Sequence, residues 1–268
     1  MQINSVNNFH NNYAKNYKNN FNGQQSDKST DKKVKAGVKT TTALATGITL
    51  GLIAKKQGFS LSPKKIFKTP MKDWAIFKLP NKNKPNDKTL QFEAKEILSL
   101  ASSSVAGGLA GGIIFDKKEN RKAKIKEGLN QIVGDVAVPL MFVAGPAKAY
   151  ETFTNKAFDP NAKESVRNLA QKFKTNKFLK IAAPVVVGAV SLGAGIIAGN
   201  KTANFINEKI YKEKRERQVK ATDFAPHIDD VCLAATLMAE KSTFSGVVSK
   251  LVPFALLVPG FETGLAQK

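Results

Sequence analysis

Two apolar stretches laddered with glycine constrain this chain more than anything else in it. Residues 97–115 read ILSLASSSVAGGLAGGIIF and residues 181–199 read IAAPVVVGAVSLGAGIIAG, neither with a charged side chain. As a helix, each is about 28 Å long at 1.5 Å per residue, close to the roughly 30 Å hydrocarbon core of a bilayer. Their small residues recur every fourth position: Ser103, Gly107 and Gly111; Ser104, Gly108 and Gly112; Ser191, Gly195, Gly199 and Ala203. Ala43, Gly47 and Gly51 repeat the pattern upstream. Residues four apart share one helix face, so each ladder presents a strip where another backbone can come close. Glycine inside a helix in water costs about 1 kcal/mol relative to alanine, whereas in lipid close approach itself drives association. The expectation is an integral membrane protein whose helix-packing positions are Gly47, Gly51, Gly107, Gly108, Gly111, Gly112, Gly195 and Gly199. The alternative is a soluble α protein with glycine-rich core helices.

Charge qualifies this picture without removing it. The formal net charge is +21 over 268 residues, and the only arginines are Arg121, Arg167, Arg215 and Arg217. Readers of bases and phosphates favour the bidentate arginine fork, so a lysine-dominated balance argues against a nucleic-acid partner. Lysine-rich flanks suit anionic lipid headgroups better. Cys232 is the only cysteine, so no disulfide forms within one chain.

Along the chain, residues 1–35 are polar and asparagine-rich and are expected to be a disordered tail without a cleavable signal peptide. An internal span would then direct insertion. Residues 40–54 read as a first, threonine-rich span. A long polar connection with four prolines follows, in which Trp74 among lysines looks like a headgroup-level anchor, or else like a patch covering a soluble domain. After the second span, residues 129–149 are apolar but carry Asp135 near one end, with Pro139 and Pro146 expected to kink or break the helix. A carboxylate at membrane depth is a candidate polar site, unless Asp135 simply lies at the interface. Val166, Leu169, Ala170 and Phe173 are helically spaced among Lys163, Arg167, Lys172 and Lys174, which predicts a basic amphipathic helix on the membrane surface or a surface helix packed on a core.

The stretch from 181 is expected to continue as one long helix into a charged rod, with Glu208, Lys212, Glu216 and Lys220 at four-residue spacing. Residues 247–261 could be a span, a re-entrant segment or a core helix, and GFETG reads as a turn. Two similar proline-flanked segments, VPLMFVAGP and VPFALLVPG, hint at duplicated units, although few residues match. Lysine enriches every connection, so the positive-inside rule assigns no orientation.

Little catalytic chemistry is visible. The segment DFAPHIDDVCLAA, with His227, Asp229 and Asp230, resembles the HPDDE signature of metal-dependent de-N-acetylases. In that family histidine and aspartate hold zinc and a neighbouring aspartate serves as base. Here Ile228 replaces the proline and Val231 the glutamate, and the only other histidine is His10. A three-ligand catalytic site lacks its partner, and two aspartates after Pro226 equally suit the first turn of a helix. There is no phosphate loop, dinucleotide fingerprint or CxxC pair. No enzyme activity, cofactor or metal is expected.

These readings converge on an all-α fold: a helical membrane bundle of four to five transmembrane helices with basic interfacial helices. The expected divisions are a tail (1–35), a first membrane unit (36–149), an amphipathic helix (150–180) and a second membrane unit (181–268). The expected role is a multi-pass, non-enzymatic membrane protein that associates with itself or another membrane subunit. A small transporter or channel using Asp135, and a soluble basic helical protein binding nucleic acid, are the alternatives.

Overall fold

The computed structural model describes residues 32–78, 86–212 and 250–267, and these are helical with no strand among them. Helix α1 spans Lys32–Lys56 and the short α2 Pro63–Lys68. Helix α3, Ala94–Phe115, opens on a capping box: the backbone N–H of Glu93 donates to Glu96 Oε2 at 3.1 Å, and the Glu93 side chain accepts in return. Helix α4 covers Arg121–Asn130 and runs through a π-helical segment, Gln131–Ala137, into α5, Val138–Asn155. Helix α6, Glu164–Thr175, meets the 35-residue α7, Lys177–Tyr211, at a single residue. That residue is Asn176, which ends α6 and whose Oδ1 accepts from the N–H groups of Phe178 and Leu179 to start α7. Two short helices finish the chain, α8 (Val252–Ala255) and α9 (Val258–Leu265).

Packing follows the glycines. Helix α3 lies between α1 and α9, and α7 lies along the π segment and α5. One core gathers Ile97, Leu100 and Ala101 of α3 with Ile53, Val136, Leu140 and Leu256, and Val143, Leu192 and Ile196 join α5 to α7. Trp74 donates its indole N–H to the carbonyl of Thr69 at 2.9 Å and stacks on Phe77, which stacks on Phe254 of α8. These aromatics therefore cover the C-terminal segment. Lys250 secures the same junction, its buried Nζ donating to the carbonyl of Leu90 at 3.1 Å, and burial pushes its pKa down to about 8.

Three helical runs are long and apolar enough to cross a membrane: Ala94–Phe115, Lys118–Phe158 and Lys177–Tyr211. Helix α1 has the length but carries too much lysine and threonine, and the apolar C-terminal stretch, Val252–Leu265, is too short. Several expectations are corrected. Residues 32–35, assigned to the tail, already belong to α1. GFETG forms most of α9 rather than a turn, because Pro259 occupies the first helical turn, where no N–H is required. Pro139 and Pro146 do not break their helix. Pro139 follows the π segment, whose wider turn relieves the clash its ring would make with the carbonyl four residues back. The C-terminal end of α7 is Lys212 in a left-handed conformation, φ 54°, so the helix stops there. The tail to residue 31, Glu216 and Lys220 of the expected rod, and His227, Asp229 and Asp230 lie outside the described residues.

Candidate functional site: the glycine-faced helix interfaces

Each glycine ladder on α3 and α7 looks onto a neighbouring backbone. A methyl group added at Gly107 would sit 2.7 Å from both the Cβ of Ala45 and the carbonyl oxygen of Thr41. At Gly111 it would meet the hydroxyl of Thr41 and come within 2.9 Å of Val38 Cα. These two glycines therefore seat α1. Gly108 and Gly112, one residue round the helix, seat α9: their added methyl groups would strike the carbonyl oxygens of Gly260 and Gly264, the latter at 2.6 Å. Gly260 and Gly264 are themselves four apart, so two glycine faces meet backbone to backbone, bordered by the side chains of Val38, Thr42, Ser104 and Lys124. On α7, Gly195 lies against Pro139, with an added methyl 2.8 Å from its Cα, and Gly199 lies against the carbonyl of Gly134.

Gly47 and Gly51 sit differently. Nothing lies within 4 Å of a methyl at Gly47, and Gly51 would meet only Leu61 at 3.8 Å. The face that α1 turns inward is Val34, Val38, Thr42 and Thr46, all buried. Four-residue spacing runs along every face of a helix, and on α1 threonine rather than glycine makes the approach.

The docked α9 is held by charge as well as by shape. Lys124 of α4 is fully buried, and its Nζ donates to the carbonyls of Gly264 at 2.6 Å and Ala266 at 2.9 Å. The third proton faces Asp116 Oδ2 at 2.7 Å. An ammonium has three donors, and all three are used. It also sits where a helix C-terminus presents unpaired carbonyls and negative potential. Burial pulls the Asp116 pKa upward, but hydrogen bonds from Lys124, the Lys117 backbone and Asn120 outweigh it and hold the carboxyl below its ordinary value. Gln131 adds a further link, donating from Nε2 to Glu262 Oε2 at 2.6 Å. None of these contacts was read from sequence, because Lys124 is one lysine in a charged run and its partners are carbonyls 140 and 142 residues away.

Polar residues border the contact of α4 and the π segment with α7. Gly134 faces Ala203 and Gly199, and Lys126 lies over the Tyr211 ring at 5.8 Å. This antiparallel register sets Asn130 level with Asn207. Each buries an amide oxygen without a hydrogen-bond partner. Asp135, half-buried, follows Gly134 on the π segment and has an interaction of its own. Among the described residues no group of His, Cys, Asp and Glu is placed to hold a metal ion.

No protein-family model, curated protein or solved structure matches this chain.

Proposed function

We propose that this chain is a multi-pass, non-enzymatic membrane protein whose glycine-faced helices pack with one another and with a second copy or another membrane subunit. The observation that carries this reading is the apolar outer surface of the bundle, around a core that also buries several polar side chains. Thr42, Thr46, Ser104, Lys124 and Thr263 are buried, while Leu44, Ile48 and Leu52 form an exposed stripe along α1. Val185, Val186, Val190 and Ile197 continue such a surface on α7, and Met141 and Phe142 on α5. In water this arrangement exposes apolar area that folding normally hides, whereas hydrocarbon solvates it. Gly47 and Gly193, each with nothing within 4 Å, lie on these outer faces and leave room for a partner helix. Lysine-rich ends favour anionic headgroups. An alkaline carbonate wash of membranes from expressing cells tests the reading. Retention in the pellet until detergent is added is the expected result, and release into the wash overturns it in favour of a soluble basic protein.

A second reading, a small transporter or channel, has its own support in the unpartnered buried amide oxygens of Asn130 and Asn207 and in Asp135 on the π-helical segment. An ionisable group inside a membrane span is by default a candidate for a substrate or ion pathway.

A further inference from the structure

Where the apolar part of α5 gives way to polar sequence, the helix presents a groove that the packing of the bundle leaves open. Gly145, Ala149 and Phe153 form its floor, Val166 of α6 closes one side, and it encloses about 580 Å³. Lys148 and Lys156 are among its lining residues. Neither makes an ion pair among the described residues. The hydroxyl of Thr152 between them donates to the carbonyl of Lys148, which leaves the two ammonium groups as the cationic donors over the groove. Helix α6 is pinned alongside by Phe173, edge-on to Tyr150 and Phe153, and its other face is strongly basic. Phe158 and Phe178, three-quarters exposed, flank the same end of the molecule.

We propose that this groove binds one anionic phospholipid. An acyl chain lies on Gly145, Ala149 and Phe153, and the phosphate is held between Lys148 and Lys156. Lys148 lies in α5 and Lys156 immediately follows it, their backbones about 12 Å apart at helical rise, within the span two flexible four-carbon side chains can close onto one phosphate. Lysine binds phosphate as a point charge, so no fixed fork geometry is needed. Gly145 and Ala149 leave the width a chain requires, and a zwitterionic headgroup sets its own ammonium against the lysines where a net-anionic headgroup does not. The proposal rests on the membrane reading and gives it a specific lipid site.

The test is native mass spectrometry of the detergent-purified full chain offered phosphatidylglycerol or phosphatidylcholine. The wild-type protein should retain one phosphatidylglycerol in preference to phosphatidylcholine. The K148E/K156E variant should lose that preference, with affinity down about tenfold or more from two missing lysine contacts. Gly145→Leu fills the floor at an open position and keeps both lysines, so its loss of retained lipid cannot come from surface charge. Equal retention of both lipids, or unchanged retention in either variant, overturns the site. Carbonate extraction of the same variants separates the two questions: a pelleted protein without lipid preference refutes the site alone, whereas a protein released by carbonate refutes the membrane reading beneath it.

Discussion

At the scale of single residues, the glycines differ in what a methyl group would cost. At Gly199 an added Cβ collides with the Gly134 carbonyl oxygen and comes within 3.0 Å of its carbon, so backbone, not a flexible side chain, must yield. Gly199→Ala is expected to destabilise the protein by about 1–3 kcal/mol, the usual range for overpacking. Gly47→Ala meets nothing and relieves a weak helix position, so it should be neutral or stabilising by up to about 1 kcal/mol. Denaturant titration of the two variants in detergent, followed by circular dichroism, gives the comparison, and equal destabilisation would contradict it. Spacing made Gly107, Gly111, Gly195 and Gly199 legible as candidates, because glycine so dense in apolar helices has few other uses. It could not choose among the faces of α1, where Thr41, Thr42 and Ala45 are nearly as small as glycine. Gly260 and Gly264 escape the sequence reading because GFETG, with no helix after it, reads as a turn, although Pro259 also suits the first turn of a helix.

Elements were legible wherever apolar periodicity ran long: α3 and α7 stand where their sequences predict, and α6 falls within its expected range. The run through Asp135 and Pro139 was less legible, since sequence rules offer only a break or a kink at proline. The π turn is a third solution. It keeps the helix continuous while placing Gly134 against α7, with Asp135 the next residue along. If this contact conducts, Asp135 is the only carboxylate on the π segment, and neutralising it should be felt in transport before stability. In liposomes loaded with a pH-sensitive dye, any proton or cation flux of the wild-type protein should fall at least about tenfold in Asp135→Asn, a loss of roughly 1.4 kcal/mol at the barrier. Flux that is absent from the wild-type protein, or unchanged by the substitution, removes the transport reading and leaves the helix-packing one.

Across the whole molecule, the decisive long-range feature is that the C-terminal helix completes the bundle formed by α1, α3 and α4. Glycine shape admits α9, but shape alone does not fix how far it slides along α3. The Lys124 ammonium does, by binding two carbonyls at the end of α9 and a carboxylate at the end of α3. Replacing Lys124 by Met leaves Asp116, whose side chain is 7% exposed, without its cation, and leaves two carbonyls without a donor. Breaking a buried pair from one side costs about 3–5 kcal/mol. Acid tests the same contact from the other partner. The folded-state pKa of Asp116 lies below its ordinary value of 3.8, so its ionisation stabilises the fold above that value. That stabilisation falls away as the pH drops from 3.8 toward the lower folded value. Lys124→Met should therefore unfold at lower denaturant at neutral pH, and its remaining stability should change less than the wild type's on acidification below pH 4. A variant that matches the wild type at neutral pH would mean that α9 is seated by its glycines alone. A destabilised variant with an unchanged acid response would mean that Lys124 holds the α9 carbonyls without perturbing Asp116, making the lysine a helix cap rather than one half of an ion pair.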